Sequence, residues 1–166
     1  MREISPRDID KNAIRLITED WALLTAGGAD GWNTMTVSWG GLGELWSKDV
    51  AFVFVRPQRY TKEFIDGSEY FTLSFFDESY KNALRVCGTK SGRDIDKAKE
   101  TGLTPVFEND TTHLAQAELV LVCKKLYAQD MTPDCFVDKS IIDENYKAND
   151  FHTSYVGEII KVLKKD

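Results

Sequence analysis

Two short stretches of this chain combine residue types that could hold a small charged ligand. The first, Asn33-Thr34-Met35-Thr36-Val37-Ser38-Trp39-Gly40, alternates with a period of two. As a strand it sends Thr34, Thr36 and Ser38 to one side and Asn33, Met35, Val37 and Trp39 to the other. By itself such a stretch also describes an ordinary strand with a hydroxylated solvent face. The second stretch, Arg56-Pro57-Gln58-Arg59-Tyr60-Thr61, follows a short way downstream. There an apolar strand ends, a proline turns the chain and a helix begins. A helix start beside an arginine and hydroxyls favours an anion, because its free N–H groups and its dipole both point that way. A strand offering hydroxyls and peptide edges to a ring, beside a turn offering cationic donors to a phosphate, points to a mononucleotide cofactor.

The elements around these stretches must place them side by side. Ser5-Pro6 reads as an N-cap and first helical position, starting a short helix with Ile9, Ala13, Leu16 and Ile17 on its apolar side. A strand over Trp21–Thr25 ends at Gly27-Gly28, and a polar turn through Asp30-Gly31 returns the chain antiparallel into the Asn33 strand. Gly40-Gly41-Leu42-Gly43 imitates a dinucleotide fingerprint, but the position of its last glycine holds Trp46 and no strand–helix–strand unit surrounds it. These glycines are expected to bend the chain at a barrel corner. Val50–Val55 reads as a buried strand, and Tyr60–Asp66 as a helix closed by Gly67. Tyr70–Phe76, Leu119–Tyr127 and Tyr155–Leu163 read as further strands, with short helices at Tyr80–Val86 and Asp96–Glu100. Gly102–Asp110 is expected to be irregular because of Pro105, and Asp130–Asn149 a surface excursion with a helical turn near Ile141. Strands with hairpin-length connections, and helices too short for parallel crossovers, predict a mainly β, antiparallel barrel with short helices.

The chain has 166 residues, 42% hydrophobic and 29% charged, which fits a single globular domain over 1–166 with a proper core. A net charge of −6 argues against a nucleic-acid partner held by a basic surface. No run is apolar enough to span a membrane, and Met1–Asp10 lacks the apolar segment of a signal peptide, so the expected location is cytoplasmic. Cys87, Cys123 and Cys135 are far apart and odd in number, with neither a disulfide framework nor a metal-binding pair.

The Asn33–Gly43 and Arg56–Thr61 stretches, then Cys87-Gly88, Ser91-Gly92-Arg93-Asp94 and Asp96-Lys97, together resemble the flavin reductase-like family of FMN-binding split barrels, in its flavoredoxin-like branch. The segment His152–Ile159, with Tyr155-Val156-Gly157-Glu158-Ile159, is similar to that family's last core strand. The resemblance runs from about Trp21 to the end of the chain. It implies a Greek-key-like FMN-binding split β-barrel, an FMN cofactor and a homodimer that builds its flavin pocket where two subunits meet. The implied activity is electron transfer from a reduced donor, either NAD(P)H or a protein, to a small-molecule or protein acceptor. The alternative within the same binding site is a flavin carrier or sensor without turnover.

Arg59 is the best candidate to hold a phosphate, since its planar fork matches two phosphate oxygens; the alternative is a surface ion pair. The resemblance adds phosphate contact for Tyr60 and Thr61. It sets Asn33, Thr34, Met35, Thr36, Val37, Ser38 and Trp39 along the edge of the flavin ring, where an amide and peptide N–H groups can stabilise negative charge. Met35 and Trp39 could equally be core residues. Cys87, Gly88 and Ser91 fit a loop closing over the cofactor, where glycine permits near approach. Lys97 either reaches the phosphate or is solvated on its short helix. Cys87 admits a thiol redox role or that of an inert small hydrophobe. The resemblance brings His152 to the flavin face, against a nicotinamide or an acceptor, whereas His113 falls in a polar loop without a role. The flavin would carry the chemistry, so no protein nucleophile and no metal are expected.

Overall fold

The computed structural model describes residues 1–108 and 110–166. After strand β1 (Arg2–Ile4) come a 3₁₀ turn at Pro6–Asp8 and the helical segment α1 (Ala13–Arg15), which widens over Leu16–Asp20. Strands β2 (Ala22–Gly28) and β3 (Gly31–Val37) form a hairpin, as do β4 (Gly40–Leu45) and β5 (Lys48–Val55). Helix α2 (Thr61–Gly67) leads to β6 (Tyr70–Phe75), and helices α3 (Lys81–Thr89) and α4 (Lys97–Thr101) follow. A small hairpin, β7 (Pro105–Glu108) and β8 (Thr111–Leu114), precedes the long strand β9 (Leu119–Asp130). Helix α5 (Ser140–Asn145) interrupts the excursion that returns to the long strand β10 (Thr153–Lys164).

Every ladder is antiparallel, and the main sheet runs β3-β2-β6-β9-β10-β5-β4. The first half of β10 pairs with β5 and its end with β1, through Arg2↔Lys164 to Ile4↔Val162. Two register shifts in β10, at Val156/Gly157 and Ile159/Lys161, supply the bends a strand needs to serve two neighbours. The outermost strands, β3 and β4, are consecutive in the chain and joined only by Ser38-Trp39, yet among the described residues no ladder pairs them. The sheet is therefore a barrel split between β3 and β4.

Alternation along the strands sorts two apolar clusters. Leu24, Met35, Val37, Val53, Phe71, Leu73 and Tyr155 fill the barrel. Leu23, Leu84, Cys87, Val120 and Val122 pack on its outer side beneath α3. The outer cluster overturns a solvated face for the Asn33 strand. Thr34 is buried, and Thr36 is partly buried because α3 lies against it. Thr36 Oγ1 donates to Leu84 O at 2.5 Å, and a Cβ on Gly88 would lie 3.2 Å from Thr36 Cβ.

Several expectations need correction. Ser5 caps Pro6–Asp8 as expected, but the N-terminal helix is two pieces, with Asn12 capping the second. Gly40–Leu45 is a strand rather than a corner, because residue-by-residue pairing with β5 outweighs glycine's poor strand propensity. Trp46 and Ser47, with φ of 56° and 57°, form the two-residue turn of that hairpin. Pro105 opens β7, a position where no ladder N–H is required, so Gly102–Asp110 is not irregular throughout; Asn109 lies outside the described residues. His113 sits buried in β8 rather than in a loop. Helix α3 extends through Thr89, so Cys87 and Gly88 occupy its last turn and not a loop.

Candidate functional site

The split brings the end of β3, the end of β5 and the start of β10 together around a cleft of about 230 Å³. Met35, Thr36, Val37, Ser38 and Trp39 line one wall; Phe54, Arg56, Arg59 and His152 line the other. As an edge strand, β3 pairs only with β2 and leaves half of its peptide groups unpaired. Lys97 Nζ donates to Thr34 O at 2.6 Å, so the peptide of Thr34 faces away from β2. The two-residue period then turns the N–H and C=O of Thr36 outward too, toward the cleft.

Arg59 enters from the turn before α2. Its Nη1 donates to Gly88 O at 2.7 Å, and no carboxylate among the described residues pairs with it. Burial lowers its pKa from the ordinary 12.5, but a guanidinium remains charged at any working pH. Arg56, three residues earlier, is spoken for. It pairs with Asp150 at 2.5 Å, donates to Asn145 O at 3.0 Å and lies 5.2 Å from the centre of the Tyr146 ring.

The end of the cleft between Trp39 and His152 is aromatic. Trp39 is 49% exposed at the mouth and stacks obliquely 5.3 Å from His152. His152 is buried, with Nδ1 2.9 Å from the Tyr146 hydroxyl. Burial, seconded by the charge of Arg56, holds its pKa down at about 4, so the imidazole is neutral at neutral pH.

Other predicted residues sit behind this surface. Thr34 Oγ1 donates to Leu24 O and accepts from Thr25 Oγ1 at 2.8 Å, within the sheet. Asn33 Nδ2 donates to Thr61 Oγ1 at 2.9 Å, and both side chains are buried. The loop after α3 is clamped there: a Cβ on Gly92 would stand 2.2 Å from Asn33 Oδ1. Tyr60 packs edge-on against Phe64 and under the Arg93 guanidinium, and Ser91 Oγ accepts from Arg93 N. Lys97 is buried rather than solvated, donating also to Cys87 O at 2.9 Å. Cys87 is fully buried; burial pushes its thiol up to about 11 despite the nearby Lys97 ammonium, which describes an inert small hydrophobe.

Phe54 and Tyr146 escaped the sequence reading. Phe54 had a signal, since Phe52-Val53-Phe54-Val55 alternates ring and valine within an apolar run. Tyr146 had none, because only the return of the 130–152 excursion brings it to His152. Among the described residues no group of His, Cys, Asp and Glu could hold a metal, and no helix is long and apolar enough to cross a membrane.

A split barrel with a phosphate-type cation beside an open strand edge has counterparts among known proteins. The chain belongs to the flavin reductase-like family, whose flavin reductase like domain matches residues 14–166. Flavoredoxin from Methanosarcina acetivorans superposes with a TM-score of 0.70 at 19% identity, over 89% of this chain and 69% of that one. Flavoredoxin of Desulfovibrio vulgaris (Miyazaki F) gives 0.69 at 20% identity, over 100% and 77%. An FMN-binding protein from Thermus thermophilus gives 0.68 at 18% identity, over 100% and 83%. At these identities the solved structures establish the fold. No curated protein matches the sequence. Membership of the family connects the chain to flavin-dependent electron transfer.

Proposed function

We propose that this protein binds FMN in the cleft at the barrel split and acts as an oxidoreductase, passing electrons from a reduced donor to an acceptor. The observation that carries the reading is Arg59, a half-buried guanidinium with no carboxylate partner among the described residues, at one end of a cleft whose wall is an open strand edge. A cation so placed lacks the counter-charge that burial demands, and a phosphate supplies it. The name of the Thermus thermophilus protein supports FMN in particular.

The residues fit the parts of that cofactor. Arg59 keeps Nε and Nη2 for phosphate oxygens while Nη1 stays on Gly88 O. The outward peptide groups of Thr36 offer a donor and an acceptor to the polar edge of a ring. Trp39, Phe54 and neutral His152 offer a ring aromatic contact without adding charge. Arg56 is neutralised by Asp150, so among the described residues the cleft offers a single guanidinium without a carboxylate, as suits one phosphate rather than a pyrophosphate. The chemistry supplied by a bound flavin is acceptance of a hydride equivalent from the donor and release of its electrons to the acceptor. NAD(P)H is the proposed donor, and a homodimer the proposed assembly.

The test is a titration of the purified protein with FMN and FAD, followed by anaerobic addition of NADH or NADPH. FMN is expected to bind more tightly, and its absorption to bleach and then return with an acceptor. Equal or tighter FAD binding overturns the cofactor assignment; tight FMN that never bleaches makes the protein a carrier or sensor. Arg59→Ala is expected to weaken FMN more than tenfold, because a charge-assisted hydrogen bond contributes roughly 1.5–3 kcal/mol. The lost cap on Gly88 O should lower fold stability by only about 1 kcal/mol. Full FMN affinity in the folded variant would place the phosphate elsewhere.

A further inference from the structure

Lys97 is the one lysine or arginine among the described residues that is buried. Its Nζ donates to Cys87 O, while Arg59 Nη1 donates to the next carbonyl, Gly88 O. Both carbonyls belong to the last turn of α3, whose final C=O groups lack partners inside the helix. Two cations therefore cap one helix end, an arrangement the helix dipole favours. The dipole does not neutralise them. A helix C-terminus carries about half a negative charge against their two positive ones, which leaves an excess of about one and a half. No carboxylate among the described residues pairs with either side chain. A phosphate monoester carries roughly −1.5 to −2 at neutral pH, which matches that excess.

We propose that Lys97 is the proton-linked half of the anion site: a phosphate held by Arg59 is bound together with a proton on Lys97, so affinity for a phosphorylated ligand falls in alkaline solution. This rests on the reading of Arg59 as the phosphate anchor and adds how that site responds to pH. The groups facing Lys97 are the Cys87 thiol from α3, the Arg59 guanidinium from the turn before α2, and uncharged Thr34 from β3. On its own helix, Asp96 caps Lys99 N and Glu100 pairs with Lys90 at the surface, so neither compensates it. Burial, with the charge of Arg59 added, brings the Lys97 ammonium down to about 8. Below that value the site is doubly charged before the ligand arrives, and binding takes up no proton. Above it the lysine is neutral when the cleft is empty, and the ligand must bring a proton with it.

The experiment measures FMN and riboflavin affinities from about pH 6.5 to 9.5 at constant ionic strength, with calorimetry in two buffers to count protons. For the wild-type protein, FMN affinity should be level at the acid end and fall by up to about tenfold per pH unit above pH 8. Riboflavin, which shares the ring but has no phosphate, should show no such fall. Lys97→Arg keeps the charge but cannot release its proton, so its FMN affinity should stay level across the range. Lys97→Met should bind FMN more weakly at neutral pH and show no slope. Level wild-type affinity to the alkaline end, the same slope for riboflavin, or a slope surviving in Lys97→Arg would each overturn the proposal while leaving FMN in the cleft. Should Lys97→Arg fail to fold, wild-type proton uptake with FMN but not riboflavin at alkaline pH supports the proposal, and its absence overturns it. Failure of FMN to bind at any pH overturns the assignment of the cleft as well.

Discussion

Arg56 and Arg59 differ little on paper and have opposite fates in the fold. Arg56 is consumed by Asp150 and the Tyr146 ring, while Arg59 keeps two donors for the cleft. The excursion that delivers Asp150 and Tyr146 also delivers His152, and its burial has a measurable consequence. An imidazole held at about 4 in the fold and near the ordinary 6.5 when unfolded is protonated first in the unfolded chain. Its contribution is complete above pH 6.5 and is lost as pH falls toward 4, by up to about 3 kcal/mol. His113, whose pKa is also lowered by burial, acts in the same sense. Denaturant midpoints between pH 7 and 4 should fall steeply for the wild-type protein and less steeply for His152→Gln. Parallel curves would show that His152 is not the titrating group.

At the scale of elements, β10 organises the barrel by pairing with β9, β5 and β1 in turn. Gly157 sits at its first register shift, where a Cβ would stand 2.6 Å from the Phe71 ring and 2.8 Å from Cys123 Cβ. Phe71 crosses the core and cannot yield cheaply, so Gly157→Ala should destabilise by roughly 1–3 kcal/mol, the usual range for overpacking. Gly41 on β4 is the internal control: no atom of the described residues beyond its chain neighbours lies within 4 Å of its Cβ position. Gly41→Ala should leave the denaturation midpoint unchanged within about 0.5 kcal/mol. Equal effects of the two substitutions would mean that strand propensity, not the Phe71 contact, selects glycine at 157. The α3–β3 contact makes the complementary case, since the covering helix turns Thr36 from a solvent residue into a ligand of Leu84 O.

For the whole molecule, the exposed mouth of the cleft is where a second surface would act. Trp39 is 49% exposed there, and a barrel whose interior is filled by its own side chains would leave the ring of a bound flavin outside the wall. A homodimer that covers the mouth would hold two equivalent flavins, one per chain. Ligand binding and association would then be linked, so FMN should stabilise the dimer against dilution in sedimentation or light scattering. Full FMN stoichiometry in a monomer, at concentrations without detectable dimer, would show that one chain completes the site.

Period-two alternation around Met35 and Phe71 and the apolar run Val50–Val55 were enough to predict strands, and hairpin-length connections with short helices an antiparallel β fold, because these signals are local to the chain. The order and spacing of the Asn33, Arg56, Cys87 and His152 segments carried the resemblance to the family that the domain match then established. Local signals also placed the α2 start, the Ser5 cap and the helical turn near Ile141. Tertiary structure alone decided the rest. Gly40–Leu45 is a strand only because β5 lies beside it, and Thr36 is partly buried because α3 lies against it. Whether a lysine or arginine is free depends on partners far away in the chain: Asp150 for Arg56, the last turn of α3 for Arg59 and Lys97. Charge compensation is a sum over space, and sequence neighbours contribute little of it.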